Sequence, residues 1–301
     1  MPELPEVETT VRDLRKKVLS RTFIDVWTDF EKMIKNPKSF PEFKKEIINK
    51  KILNVKRRAK FILFELSDDK ILLIHQKLTG HLLLGKWQKQ KTGWKSFKKD
   101  FLSEKINSYI HLLFKLDNGE MLALSDLRKF ARIELWGADE LFNLQEFKSL
   151  GPEPLEKSFT FEKFKEILKN KKTAKGEPRQ RRGKVKQVLM DPNVIAGIGN
   201  IYSDEILFQA KIHPFRLIPS LKEKELERIY QNIIKILEKG IELKGESFSD
   251  WRTIEGKKGF FDDYRRVYQR EGEKCSCCKS LILRKKIGGR SAHFCPNCQK
   301  L

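Results

Sequence analysis

Residues 188–213 read VLMDPNVIAGIGNIYSDEILFQAKIH, and this stretch predicts a helix, a long turn and a second helix. Pro192 and a Gly-Ile-Gly triplet at 197–199 separate two apolar, helix-periodic segments, as expected of a turn. The glycines let the backbone approach a ligand, and free N–H groups at the start of the second helix form an anion site beside Asn200. A Gly-x-Gly triplet alone is more often only a tight turn, so the phosphate-binding interpretation depends on its surroundings.

A basic run lies just upstream of this helical pair. Residues 170–186 read NKKTAKGEPRQRRGKVK, with eight basic residues and one Glu. Clustered Lys and Arg neutralise phosphates and release counterions, which gives salt-dependent affinity without sequence choice. The chain of 301 residues also has a formal net charge of +22. A generally lysine-rich composition would spread this charge evenly, whereas clustering favours nucleic acid as the partner.

The sequence pattern changes at GPEPL, residues 151–155. An amphipathic helix at 5–19 precedes it, followed by short apolar strands that predict an antiparallel sandwich or barrel. Mostly helical segments follow it. The predicted strands are 61–66, 71–74, 110–116, 121–124 and 132–136, and the later helices are 161–170, 183–190, 199–210 and 221–239. We predict an α+β fold with domains at 1–150, 151–265 and 266–301.

The carboxyl-terminal segment holds four of the chain's five cysteines as two C-x2-C pairs: Cys275, Cys278, Cys295 and Cys298. Four thiolates at this spacing are typical of one structural Zn²⁺, with no position open to water. Four unrelated cysteines would not cluster in this way, and we interpret Cys277 as a spectator. Between the pairs, glycines at 288–289 predict a hairpin tip that carries Arg290 outward, although a solvated surface arginine also fits.

The sequence contains no sign of membrane insertion or secretion. No stretch approaches the roughly 18 apolar residues of a membrane-spanning helix. The start, MPELPEVETT, is acidic where a secretory signal needs positive charge and an apolar core. We therefore expect a cytoplasmic, nucleoid-associated protein, in which paired cysteines bind metal rather than form disulfides.

Together these segments resemble one family, the formamidopyrimidine-DNA glycosylases, which are bifunctional base-excision repair enzymes. The matching pieces are MPELPEVE at 1–8, RRAKFILFEL at 57–66, residues 75–80, SDLRKFARIELW at 125–136, LGPEPL at 150–155, residues 189–214, GKKGFFDDYRRVYQREGEKC at 256–275 and the terminal GGRSAHFCPNCQK. They span nearly the full chain in one order. The resemblance implies a β-sandwich, a helix-two-turns-helix domain and a zinc finger. It also implies a monomer acting on double-stranded DNA that contains oxidised bases or abasic sites.

The resemblance assigns the sugar chemistry to the amino terminus. Removal of Met1 would expose the secondary amine of Pro2, which would form a Schiff base with the deoxyribose. In any other protein Pro2 would simply begin a helix. Glu3 would protonate the opening sugar ring with support from Glu6, although both acids also suit a first helical turn.

Further residues are placed against DNA by the same resemblance. Lys60 would hold a phosphate and assist β-elimination, and Arg290 would grip phosphates and serve δ-elimination. A flipped base leaves a hole that side chains must fill, and the resemblance implies Leu78, Arg128 and Phe130 for this role. The other implied DNA-binding residues are Tyr109, Arg181 and Asn200. A loop at 247–261 would close over an oxidised purine.

Several positions depart from the family pattern. Leu78 replaces the usual wedge methionine, Tyr109 the usual DNA-contacting histidine, and Leu127 the usual proline. The Lys- and Trp-rich stretch at 86–105 has no clear counterpart. It is either a flexible DNA-facing loop or a solvated insertion, and we favour the second interpretation.

The predicted activity is excision of 8-oxoguanine and formamidopyrimidines through a Schiff base, followed by β,δ-elimination. Two alternatives stay open. An endonuclease VIII-type glycosylase for oxidised pyrimidines shares Pro2 and Glu3 but typically starts MPEGPE, whereas this chain has Leu4. A non-catalytic damaged-DNA-binding protein would share the scaffold and lack the chemistry.

Overall fold

The computed structural model describes the chain except residues 92, 98, 173–177 and 248–249, and it gives no side-chain description for 170–172 and 178–180. Backbone contacts divide the chain into two compact units. The first comprises residues 1–148 and 241–262, and the second comprises 149–240 and 263–301. The domain limits predicted at 150 and 265 stay a prediction.

The first unit is a β-sandwich, which decides between the sandwich and the barrel. Its strands are β1 (Phe23–Thr28), β2 (Ile34–Asn36), β3 (Ile52–Arg58), β4 (Phe61–Leu66), β5 (Lys70–His75), β6 (His81–Gly85), β7 (Trp87–Gln90), β8 (Gly93–Ser96), β9 (Ile110–Leu116), β10 (Met121–Ser125) and β11 (Arg132–Gly137). One sheet has the order β1-β9-β10-β6 and the other β2-β11-β5-β4-β3. Their inner faces form one core, in which the rings of Phe23 and Phe114 lie 5.0 Å apart.

Helix α1 (Leu4–Val18) begins one residue before the predicted helix at 5–19 and closes one side of this core. Val7, Val11, Leu14 and Val18 recur at three- and four-residue spacing and are fully buried, as the amphipathic pattern predicts. The other helices of this unit are short: α2 (Phe40–Ile47), α3 (Ala138–Asn143) and α4 (Gln145–Lys148). The strong burial of α1 fixes the chain's amino terminus against the sandwich.

Within the stretch at 86–105, strands β7 and β8 form a hairpin that packs through its tryptophans, while the described lysines are exposed, so the solvated insertion that we favoured describes only one face of the hairpin. Strands β7 and β8 pair antiparallel, and Trp87 is only 2% exposed. Trp94 packs edge-on to Trp27 of β1, with ring centroids 5.4 Å apart. The tryptophans cover apolar side chains of β6, β9 and β10. The described lysines of the stretch stay exposed to solvent.

The second unit contains the predicted helical pair and the cysteine segment. Its elements are α5 (Phe161–Lys169), β12 (Asn170–Lys172), β13 (Pro178–Gln180), α6 (Val185–Leu189), α7 (Asn200–Gln209), α8 (Glu223–Glu242), α9 (Phe261–Tyr264, at its boundary with the first unit), β14 (Leu283–Ile287) and β15 (Arg290–Phe294). Helix α6 is shorter than predicted. Gly197 has a φ of 88°, so the turn before α7 requires glycine there. Within the described parts of the chain, no helix has the length and apolarity to span a membrane.

Candidate active site and zinc centre

The amino terminus is held in place by the carboxylate of Glu6. One oxygen of Glu6 accepts a hydrogen bond from the Glu3 N–H at 2.8 Å, and the other accepts one from the Glu246 N–H at 2.8 Å. Gly245 has a φ of 78°, and a Cβ there would lie 2.9 Å from Glu6. Pro2 and Glu3 are both buried, so the segment predicted to carry the chemistry has a defined position.

Glu8, in the same amino-terminal helix, forms ion pairs with two arginines. Its carboxylate binds Arg57 at 2.9 Å and Arg12 at 2.8 Å. Burial raises the pKa of Glu8, but the two guanidinium groups more than offset this and leave the pKa below its usual value. Glu8 is therefore an ionised group that ties α1 to β3.

Lys60 lies in the turn between β3 and β4, close to a neutral histidine. Burial lowers the pKa of His75 to about 3, and the positive charges of Lys77, Lys60 and Arg132 contribute. The ring Nδ1 of His75 accepts a hydrogen bond from the Lys77 N–H at 3.0 Å, so the single ring proton is on Nε2. The imidazole of His75 is uncharged, and the nearby positive charges are those of Lys60, Lys77 and Arg132.

The three predicted hole-filling side chains lie on two loops joined by one buried carboxylate. Asp126 is fully buried and accepts hydrogen bonds from the Ala131 N–H at 2.8 Å and from the Thr79 hydroxyl. Phe130 is 50% exposed, and the Arg128 guanidinium lies 4.7 Å from the centre of its ring. Phe130 is therefore not a core residue. An exposed aromatic ring stacked on an arginine is suited to contact with bases.

Leu78 and Tyr109 lie beside this junction. Leu78 is half-buried on the loop that contains Thr79. The backbone carbonyl of Tyr109 accepts a hydrogen bond from the Asp126 N–H at 2.8 Å, and its side chain is half-buried. The fold thus brings together Leu78, Tyr109, Arg128 and Phe130 around Asp126.

In the second unit, Asn200 and Arg290 lie close together. The Asn200 side-chain amide donates to the Ser291 hydroxyl at 3.4 Å, and its own carbonyl oxygen is buried without a partner in the described part of the chain. Arg290 is exposed directly after the two-residue turn at 288–289, whose glycines have φ values of 53° and 74°. This confirms the predicted hairpin tip. The side chain of Arg181 instead donates to the Ile167 carbonyl at 3.3 Å.

The four cysteines of the two C-x2-C pairs converge as one candidate metal centre. Their sulfur atoms all lie within 4.8 Å of one another, and the Cys278 and Cys295 sulfurs are 3.4 Å apart. A tetrahedron with Zn–S bonds of ~2.3 Å places sulfurs ~3.8 Å apart, so the donor set fits one Zn²⁺. Cys277 is exposed and lies outside this group.

A buried ion pair in contact with strand β15 was not predicted from the sequence. The ammonium group of Lys186 is fully buried, 2.5 Å from Asp204 and 2.8 Å from the Ser291 carbonyl. The second oxygen of Asp204 accepts the His293 N–H at 3.0 Å. A lysine among the apolar residues of α6 was the one sign of this ion pair in the sequence. The sequence alone does not show that Asp204 and strand β15 lie next to Lys186.

We expect Lys186→Met to destabilise the protein by about 3–5 kcal/mol, since it leaves the Asp204 carboxylate buried without its cation. Urea unfolding measures the effect. Lys165→Met is the matched control, because Lys165 forms solvent-accessible ion pairs with Glu223 and Glu162, and its unfolding midpoint should not change. Equal midpoints for the two variants would contradict a structural role for the Lys186 pair.

Family models match most of the chain. Residues 1–133 match the formamidopyrimidine-DNA glycosylase N-terminal domain, and residues 150–251 match the formamidopyrimidine-DNA glycosylase H2TH domain. Residues 272–301 match a zinc finger found in Fpg and in isoleucyl-tRNA synthetase (IleRS). The three matches follow the same order as the sandwich, the helical pair and the cysteine segment.

Relatives match over the full length. Formamidopyrimidine-DNA glycosylases of Pelotomaculum thermopropionicum and Carboxydothermus hydrogenoformans are 39% and 38% identical, each covering 100% of this chain and of the relative. The Fpg of Lactococcus lactis in complex with N7-benzyl-Fapy-dG-containing DNA is 34% identical with a TM-score of 0.84, and 100% of both chains is covered. A complex of the same enzyme with abasic-site DNA has 33% identity and a TM-score of 0.83, covering 99% of this chain and 100% of that one.

Proposed function

The chain belongs to the formamidopyrimidine-DNA glycosylase family, and on that premise we propose that it excises oxidised purines from double-stranded DNA and then cleaves the strand. The supporting observation is the buried Pro2-Glu3 segment, fixed by Glu6 at the start of a matching amino-terminal domain. The relatives of known structure hold Fapy-dG or abasic-site DNA, and we extend both substrates to this chain. We further propose that the enzyme acts as a monomer at the bacterial nucleoid, within the cytoplasm.

The proposed reaction begins after Met1 is removed. The free amine of Pro2 attacks C1′ of the damaged nucleotide, the glycosidic bond breaks, and the base leaves with the proton that the Pro2 nitrogen gives up. Glu3 gives its proton to the ring oxygen as the sugar opens, and an iminium ion joins Pro2 to C1′. Because the Pro2 amine is secondary, this iminium carries a fixed positive charge. That charge draws electrons from C2′.

Strand cleavage follows from the acidity of C2′. Loss of a C2′ proton expels the 3′ phosphate in β-elimination, and a second proton loss expels the 5′ phosphate in δ-elimination. We assign the stabilisation of these departing phosphates to Lys60 and Arg290, because cationic groups stabilise developing negative charge. Asn200, Arg181 and Tyr109 would hold the flanking backbone, which fixes register without reading sequence.

Base extrusion is the remaining requirement, because the C1′ bond of a stacked nucleotide is inaccessible. We assign Leu78, Arg128 and Phe130 to the hole left by the base. Leucine has a branched, stiffer side chain than the methionine it replaces, so we expect the wedge to work with less adaptability. The loop at 247–261 would recognise the purine, although residues 248–249 lie outside the described part of the chain.

Borohydride trapping tests the proposed function directly. Protein lacking Met1, mixed with a duplex containing 8-oxoguanine and then reduced, should yield a covalent protein–DNA adduct. A duplex without damage is the control and should yield none. Absence of an adduct on the damaged duplex would favour a non-catalytic binder.

Substrate choice is tested separately from chemistry. Single-turnover excision of 8-oxoguanine should exceed that of thymine glycol, since the chain carries Leu4 and a continuous loop at 247–261. Faster release of thymine glycol would instead place the enzyme with the endonuclease VIII type.

A further inference from the structure

Two residues after the stretch at 86–105, Asn107 carries a fully buried amide. Asn107 is 0% exposed, and its side-chain NH₂ group donates to the Phe101 carbonyl at 2.7 Å and to the Gly256 carbonyl at 3.2 Å. Because both partners are backbone carbonyls, the amide cannot be flipped. The side-chain oxygen of Asn107 must therefore face its third partner, His81.

That contact fixes the tautomer of His81. The ring Nε2 lies 2.8 Å from the Asn107 side-chain oxygen, so Nε2 carries the proton and donates it. The ring is buried, and desolvation lowers the pKa of His81, which keeps the imidazole neutral. Nδ1 then has no proton to share with the Thr79 carbonyl 3.3 Å away. Asn107 alone thus accepts the ring proton and orients His81.

The side chain of Asn107 contacts a tight turn at 253–257, which is part of the loop at 247–261 assigned to the oxidised purine. The Gly256 N–H donates to the Thr253 carbonyl at 2.9 Å, and the Ile254 carbonyl accepts the Leu84 N–H of strand β6 at 2.8 Å. Gly256 has a φ of 80°, and a Cβ there would lie 2.7 Å from the Asn107 amide. The close contact between this turn and Asn107 therefore requires glycine at position 256.

On the other side, the pair reaches the loops that carry the hole-filling residues. His81 follows Thr79 by two residues, and the Thr79 hydroxyl binds the Asp126 carboxylate. The Arg128 N–H donates to the Thr79 hydroxyl oxygen at 3.1 Å. Hydrogen bonds thus link Gly256 to Asn107 and Asn107 to His81, the backbone links His81 to Thr79, and the Thr79 hydroxyl links to the Arg128 N–H.

We propose that Asn107 and His81 are positioning residues that couple the turn at 253–257 to the loops carrying Leu78 and Arg128. This inference rests on the proposed function, in which the turn belongs to the segment assigned to purine recognition and the loops fill the place of the flipped base. The coupling makes base recognition and hole filling depend on one another. It leaves the reaction of Pro2 at the sugar unchanged once the base is gone.

The test compares two substrates of one variant. Asn107→Ala should slow single-turnover excision of 8-oxoguanine about 10-fold, because a small displacement of a recognition element is costly. Strand cleavage at a preformed abasic site should stay within about twofold, since no base has to be recognised there. Asn118→Ala is the matched control, because it removes an exposed amide from the β9–β10 turn and should leave both rates unchanged.

A second variant tests the coupling itself. His81→Phe should reproduce the selective loss, and the double variant should be no slower than either single one, because the two residues act through one contact. An equal fall of both activities would show a merely structural role and overturn the inference, as would unchanged excision by Asn107→Ala. Failure of the parent protein to act on either substrate would instead contradict the proposed function.

Discussion

A Pro2→Gly variant is expected to release 8-oxoguanine at least about 100-fold more slowly than the parent while binding damaged DNA with similar affinity. Glycine still offers an amine, but a primary one whose imine is neutral until it is protonated. Proline gives a permanently charged iminium, and its ring restricts the amine to few orientations. Phosphate contacts come from other residues, so affinity should survive.

The measurement is single-turnover base release beside a gel-shift titration on the same duplex at fixed salt. Pro41→Gly is the control, since Pro41 is an exposed proline in the first turn of α2 and should leave release unchanged. Mass spectrometry must first show that Met1 is absent from both proteins. Parent-like turnover by Pro2→Gly would exclude the proline mechanism.

Local patterns in the sequence were enough to predict most regular elements. The period of Val7, Val11 and Leu14 marked α1, and the alternating or continuous apolar runs marked β4, β5 and β9–β11. Cysteine spacing likewise predicted a group of four sulfurs that the fold brings within bonding range of one ion. These features depend on residues close together in the sequence, and for that reason they can be predicted from a single sequence.

Features that depend on distant partners were not predictable in this way. The described lysines at 86–105 are exposed, as the sequence suggested, whereas the packing of Trp87 and Trp94 depends on an apolar sheet surface supplied by other strands. Asn107 was an unremarked polar residue until the fold placed Gly256 and His81 against it. Partners 149 and 26 residues away leave no periodic trace in the sequence.

The candidate site shows the same division. The resemblance supplied roles for Pro2, Glu3 and Lys60, whereas the contacts that hold them became visible only in the structure. Glu6 bridges to Glu246, which is 240 residues away. Roles assigned from matching segments therefore stay predictions for the individual side chains, and the supporting contacts indicate which variants discriminate between chemistry and scaffold.

Cys278→Ser is expected to release zinc, unfold the finger and lower DNA affinity at least about 10-fold. The finger's apolar contacts are few, since Cys275 and Cys295 pack with Val267, Ile282 and Phe208 of α7. Zinc binding by four thiolates contributes on the order of 10 kcal/mol or more to folding of such small modules. Without the metal, β14 and β15 lose their anchor and Arg290 its fixed position.

Cys277→Ser is a closely matched control, because it changes the adjacent cysteine to the same residue. Cys277 is exposed and its sulfur lies outside the four-sulfur group, so zinc content and affinity should equal those of the parent. Zinc content by chelator titration and DNA affinity at one salt concentration are measured for both variants. A zinc-free Cys278→Ser protein with full affinity would show that the finger neither needs the ion nor grips DNA through Arg290.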